Sequence, residues 1–200
     1  INKSFDFNMN CNGVNHEDGL IIFSFTENDF IKDISTGQQS KLDILLKSKW
    51  NQAKNKGVFN YKISEDSEPV KRLEGEHEFV AQLNEARGSL RRKPHEMTSV
   101  NMPFEKDKFN FTKITKNEVL FEVVNQQTCD EATVIINSSP FEFGNSLIVP
   151  RLLDCRPQKC TSDSLRLAIC LVALNGDGKL KAGFNSLGKS IDMQIVIEQK

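Results

Sequence analysis

Over the first 40 positions polar residues dominate and Asn recurs, with one sustained apolar patch, Leu20-Ile21-Ile22-Phe23-Ser24-Phe25. That pattern predicts loop with a short strand or anchoring segment. Regular patterning begins at Ser40. Ser40-Lys41-Leu42-Asp43 sets a capping hydroxyl three residues before a carboxylate, a helix-start signal. Leu42, Leu45, Leu46, Trp50 and Ala53 then share one helical face, and Gly57 follows as a stop. Phe59, Tyr61 and Ile63 alternate, which predicts a strand, and a charged loop runs from Glu65 to Gly75. Phe79 to Leu83 reads as a strand entering a basic loop over residues 87–94. Phe109 to Ile114 reads as another, with Phe109 and Phe111 on one face. Further strands are predicted over residues 119–124, 132–136 and 147–149, the last closed by Pro150. Ser162 or Asp163 is expected to cap a helix with apolar residues Leu165, Ala168, Ile169 and Val172, ended by Gly176 and Gly178. Two final strands, 180–185 and 191–197, flank Ser186-Leu187-Gly188.

From Phe109 onward the strands are joined mostly by short turns, with one helix among them. An open parallel sheet would need a helix in nearly every crossover. The order therefore predicts an α+β domain, an antiparallel sheet with a helix on one face.

Composition narrows the function classes. The 200 residues include 26 Lys and Arg against 27 Asp and Glu, a formal net charge of −1. A general nucleic-acid binder needs a basic excess, and a polybasic membrane binder needs the same locally, so neither is expected. No stretch approaches the roughly 18 apolar residues of a membrane-spanning helix. The five cysteines, Cys11, Cys129, Cys155, Cys160 and Cys170, follow neither a zinc spacing nor a clean disulfide framework. They read as reduced, mostly buried thiols of a cytoplasmic protein. Sequons at Asn2, Asn110 and Asn137 keep an extracellular alternative open. Nucleotide-binding glycine loops, metalloprotease motifs and nucleophile elbows are absent. His16, His77 and His95 stand in polar contexts without metal-ligand spacing, and no metal site is expected.

Four segments carry more. They are Phe79-Val80-Ala81-Gln82-Leu83-Asn84-Glu85-Ala86-Arg87 with Arg91-Arg92-Lys93-Pro94; Lys108-Phe109-Asn110-Phe111-Thr112-Lys113-Ile114; Ile136-Asn137-Ser138-Ser139-Pro140-Phe141-Glu142-Phe143-Gly144 with Leu147-Ile148-Val149-Pro150; and Gly183-Phe184-Asn185-Ser186-Leu187-Gly188. In this order they resemble the GDP-D-glucose phosphorylases of animals and the GDP-L-galactose phosphorylases of plants, of the histidine-triad and galactose-1-phosphate uridylyltransferase superfamily. The resemblance covers about residues 42–199. It implies a histidine-triad-like sheet with flanking helices and an N-terminal helical extension, and an enzyme without metal or organic cofactor. A histidine of an H-x-H-x-Q strand attacks the α-phosphorus of a GDP-sugar, hexose 1-phosphate leaves, and phosphate releases GDP from the guanylyl-histidine.

This chain departs from that pattern at the chemistry. An ungapped match puts Ile195, Ile197 and Gln199 on the H-x-H-x-Q positions, so the Gln is kept and both histidines are isoleucine. The family's Gly-His before the Leu-Ile-Val-Pro strand is Gly144-Asn145. Isoleucine has no lone pair with which to attack phosphorus. The resemblance thus implies a catalytically inactive homologue with a degenerate nucleotide site: Asn137 and Ser139 at a strand end, Asn145, the loop of Asn185, Ser186 and Gly188, then Ile195, Ile197 and Gln199. Arg87, Arg91, Arg92 and Lys93 are candidates for holding phosphate groups.

Three classes compete. The first is a pseudoenzyme binding a guanine nucleotide or GDP-sugar, or an apolar small ligand suited to the two isoleucines. The second is an active phosphorylase whose C-terminal sequence is incomplete. The third is a structural or secreted scaffold. Residues 1–40 are read as a polar segment and 41–200 as the domain, which is expected to lack the family's C-terminal part. Its last strand would then be an exposed edge, open to homo- or hetero-oligomer pairing.

Overall fold

The computed structural model describes residues 14–17, 19–32, 37–62, 70–77, 79–91, 99, 104–157, 159–184 and 193–197. The expected strand positions at Ile63, Asn185, Ile191 and Asp192 lie outside these residues.

The anchoring helix forms as its cap predicts. Helix α1 (Lys41–Asn55) starts where the Ser40 hydroxyl accepts from the Asp43 N–H and the Asp43 carboxylate accepts from the Ser40 N–H. Its face of Leu42, Leu46, Trp50 and Ala53 is buried. Asp43 is buried as well, and it is satisfied from three sides: Ser40 N–H at 2.7 Å, Gly176 N–H at 2.9 Å, and the Asn175 amide at 2.5 Å. One carboxylate so ties the start of α1 to the end of the second long helix. Gly176 is required there, because a Cβ would meet the Gln38 carbonyl at 2.1 Å and the Ser40 nitrogen at 2.8 Å.

Seven strands make the main sheet. They are β1 (Val14–Glu17), β2 (Leu20–Phe25), β5 (Val119–Asn125), β6 (Glu131–Ile136), β7 (Ser146–Pro150), β8 (Leu180–Phe184) and β9 (Met193–Ile197), in the order β1-β2-β5-β6-β7-β9-β8. A separate two-stranded sheet holds β3 (Val70–Arg72) and β4 (Val80–Gln82). The class is α+β. Every pairing in the main sheet is antiparallel except β2 with β5, which is parallel, so the sheet is mixed. The parallel pair follows from the long connection that carries α1 between those strands, the kind of crossover a parallel pair needs. Upstream of α1 the chain forms two strands rather than loop with one short strand. Gly19, at φ +80°, stands in the tight turn between them.

Helix α3 (Ser162–Ala173) differs from its expectation in cap and face. Its cap is Thr161, in a capping box with Ser164. It buries Ser164, Leu167, Ala168, Cys170 and Leu171, while Leu165, Ile169 and Val172 point outward. The core joins these residues to the α1 face and to Phe23, Phe25, Phe121, Val123, Val134, Ile136 and Ile148 of the sheet. Arg166, on the solvent side, reaches Asp130 at the β5–β6 turn with two bonds of 2.6 and 3.0 Å. That guanidinium, hydrogen-bonded to it, holds the Asp130 carboxyl below the ordinary carboxylate range.

Other expectations are corrected. Phe109 to Ile114 is not a strand but a short helical turn, Phe111–Lys113, capped by the Asn110 side chain. The alternating Phe109 and Phe111 meet edge-on, 5.9 Å apart. Residues 59–62 bend instead of extending, and Val70–Arg72, read as loop, pairs with β4. The basic residues from 87 begin in a helix, α2 (Glu85–Leu90), because the Asn84 side chain caps it by accepting from the Arg87 N–H. Among the described cysteines Cys170 is buried, whereas Cys129 and Cys160 are exposed and Cys155 is intermediate, all as free thiols; Cys11 lies outside the described residues. His16 lies in β1, and His77 is exposed.

Candidate functional site

The turn from β6 to β7, residues 137–145, is built from its own polar side chains. The Asn137 amide donates to the Asn145 Oδ1 at 2.8 Å, and the Asn137 Oδ1 accepts from the Ser139 N–H at 3.1 Å. The Asn145 Oδ1 also receives the Phe141 N–H at 3.4 Å. Asn145 and Ser146 are fully buried, and Ser139 is buried too. Asn145, at the position that the resemblance assigns to a histidine, is an internal brace.

The segment after α1 clamps this turn from outside. The Asn60 N–H donates to the Ser138 carbonyl at 2.8 Å, and its amide to the Ser139 hydroxyl at 2.9 Å. The Tyr61 hydroxyl donates to the Pro140 carbonyl. Trp50 packs between Phe59 and Phe143, with ring centres 4.8 and 4.6 Å away. A turn held at so many points is rigid, so groups attached to it keep their positions.

Phe141 connects that turn to the basic residues. Its carbonyl accepts from the Gln82 amide at 3.1 Å, and the Arg87 guanidinium lies over its ring, 5.8 Å from the centre. Gln82, Asn84, Arg87, Gly88, Arg91 and Phe141 line a solvent-open cleft of 340 Å³. Two groups of residues that sequence reading kept apart, Asn137–Ser139–Asn145 and Arg87–Arg91, thus meet at Phe141, the first at its backbone N–H and the second beside its ring. Phe141 and Gln82 lie within the segments that resemble the family, but neither is a site residue expected from the sequence. An aromatic next to Ser-Ser-Pro, facing an Arg-rich helix, was the signal that could have found Phe141.

The strand carrying the isoleucines lies beside β7. In its register Ile195 is opposite Ser146 on one side and Ala182 on the other, and Ile197 is opposite Leu180. Position 195 is therefore one residue across from Asn145. Arg92, Lys93, Asn185, Ser186, Gly188 and Gln199 lie outside the described residues. Among the described residues no group of three or more His, Cys, Asp or Glu side chains could hold a metal ion, and no helix is long and apolar enough to cross a membrane.

The segments that build this α+β domain, its basic cleft and its braced strand turn are the ones that resemble the nucleotide-sugar phosphorylases. Comparison with known proteins agrees. A family model described as "GDPGP1-like, N-terminal domain" matches residues 41–196. The chain is 42% identical over 172 residues to GDP-D-glucose phosphorylase 1 of Danio rerio, covering 84% of this chain and 49% of that protein. It is 37% identical over 161 residues to the Bos taurus GDP-D-glucose phosphorylase 1, covering 78% and 41%. To GDP-L-galactose phosphorylase 2 of Arabidopsis thaliana it is 33% identical over 180 residues, covering 78% and 41%. No solved structure matches. The chain belongs to the GDP-D-glucose phosphorylase family, and it spans about half or less of the length of these relatives.

Proposed function

We propose that this chain is a non-catalytic member of its family, a protein of the histidine-triad type that binds a guanine nucleotide or GDP-sugar without forming a guanylyl-enzyme. Relatives at 42% and 33% identity are named as phosphorylases of GDP-D-glucose and GDP-L-galactose, so a GDP-linked hexose is the ligand class at hand. The observation that carries the reading is the convergence at Phe141 of the braced Asn137–Asn145 turn with Arg87 and Arg91. A diphosphate needs cationic, forked donors, and two guanidiniums beside a rigid turn are such donors.

The lack of turnover rests on Ile195 and Ile197. A side chain without a lone pair cannot make the phosphorus–nitrogen bond, and removing a covalent nucleophile costs about a million-fold in hydrolase triads. Asn145 is committed to Asn137 and Phe141, so it does not replace the lost imidazole.

Titration calorimetry of the purified chain with GDP and with GDP-glucose tests the binding half. The expected result is saturable binding in about the micromolar-to-millimolar range, weakened by added salt. Absence of heat with either ligand, together with unchanged thermal stability, would contradict it.

A further inference from the structure

The ribbon of β3 and β4 stands apart from the main sheet, and among the described residues its strands pair only with each other. The described side chains of the two strands, Lys71, Arg72, Ala81 and Gln82, are all exposed. A two-stranded ribbon with no face packed against anything is marginally stable in water. Lys71 is opposite Ala81, and the Leu73 N–H donates to the Phe79 carbonyl at 2.7 Å, which carries the pairing one step further. Side chains alternate along a strand, so Lys71, Leu73, Phe79, Ala81 and Leu83 fall on one face and Arg72 and Gln82 on the other. The second face is used, since the Gln82 amide reaches the Phe141 carbonyl. The first is apolar and open: Phe79 is 65% exposed, Leu83 61% and Leu73 42%. His77 meets the Phe79 ring edge-on, 5.6 Å away, and extends the patch toward the tip of the ribbon. Together these residues present about 300 Å² of apolar surface, a size at which exposed patches are often functional.

The charges on the ribbon say what fits it. Its tip carries Glu74 and Glu76, and its base carries Lys71 on the apolar face. Among the described residues none of the three is in an ion pair. We propose that this face binds a second copy of the chain, ribbon against ribbon, about a two-fold axis that crosses the strands near Phe79. With the two ribbons antiparallel, Phe79 and Leu73 meet their own counterparts, Lys71 of each copy lies over Glu74 of the other, and Leu83 covers His77 of the other. With the ribbons parallel, acidic tip would face acidic tip and lysine would face lysine, so charge selects the antiparallel arrangement. The contact is isologous: one patch serves both copies, and the assembly closes at two. The cleft beside Phe141 belongs to the Gln82 face, so docking leaves it open. With its polar rim the contact buries about 1,000 Å² over both copies, the low end for a specific interface, and the dimer forms in about the micromolar range.

The test is sedimentation equilibrium of the purified full chain from about 1 to 500 µM. A monomer–dimer equilibrium without larger species is expected. Phe79→Ser and Leu83→Ser, both at exposed sites, should each weaken dimerisation about tenfold or more, with the melting temperature of the dilute protein close to the parent's. Ile169→Ser, on the exposed side of α3, should leave dimerisation unchanged. Lys71→Glu and Glu74→Lys should each weaken it, and the two together should restore it; this pair leaves the apolar residues in place and reads the orientation even where Phe79→Ser unfolds the ribbon. A chain that stays monomeric throughout the range, a dimer undiminished by Phe79→Ser, a dimer broken by Ile169→Ser, or a charge exchange that restores nothing would overturn the proposal.

Discussion

Single residues decide where this molecule is polar inside, and each such residue has a definite task. Asp43 receives three N–H groups and locks two helices together. Asn145 braces a turn. Glu122 is different: it stands on β5 opposite Thr133, whose hydroxyl donates to its carboxylate at 2.9 and 3.1 Å. Burial pushes its carboxyl up, the Thr133 hydrogen bond opposes that, and nearby Glu131 adds to the rise. A carboxyl raised in the folded state binds its proton more tightly there than in the unfolded chain. Its contribution is therefore most favourable below the unfolded value of about 4.3 and is lost as pH rises through the folded value. Glu122→Gln keeps an oxygen for Thr133 and removes the charge. Its melting temperature should exceed the parent's at about pH 7, with the gain shrinking toward about pH 4. Thermal melts across that range check this; a gain independent of pH would contradict it. The roles of Asp43 and Asn145 were only half legible. A capping box announces Asp43 at Ser40, but its bonds to Asn175 and Gly176 come from 132 and 133 residues away. Nothing near Asn145 in sequence says that it will be buried.

Elements were legible where one period dominates. Helix α1 has polar residues between its apolar ones, so the face read from Leu42, Leu46, Trp50 and Ala53 is the face that packs. In α3 nearly every position from Leu165 to Leu174 is apolar, and a helix apolar all round has no readable face. The sheet selected the Leu167–Leu171–Leu174 side. This contrast gives a direct prediction. Leu171→Ala should cost about 2–4 kcal/mol by leaving a core cavity, whereas Ile169→Ala, from a site 60% exposed, should stay within about 0.5 kcal/mol. Urea unfolding of the two variants measures the difference, and comparable losses would mean that the outer face of α3 is also packed. Helix α2 was missed because Gly88 and the arginines look like loop, and because the Asn84 cap precedes only six helical residues. Phe109 and Phe111 misled for a related reason. Two aromatics at alternate positions can satisfy each other locally without a partner strand.

At the scale of the whole molecule, the class α+β and the succession of strands along the chain from residue 119 onward were legible because short turns leave few topologies, whereas the place of β9 between β7 and β8 was not. The parallel join of β2 to β5 was not, since long-range pairing leaves no local trace. The same holds for the site. Its two halves were each visible as motifs, but their meeting at Phe141 belongs to the fold. The proposed role of the chain combines that cleft with β9, where isoleucine stands at the two positions that the family resemblance assigns to histidine. That proposed role is ligand capture without chemistry at phosphorus. The most direct measurement incubates the chain with GDP-glucose radiolabelled at the α-phosphate, then denatures it and assays protein-bound label and, with phosphate added, released GDP. The account predicts no covalent GMP and no phosphate-dependent GDP above the buffer rate. A stoichiometric GMP–protein adduct, or phosphate-driven release of GDP, would contradict it.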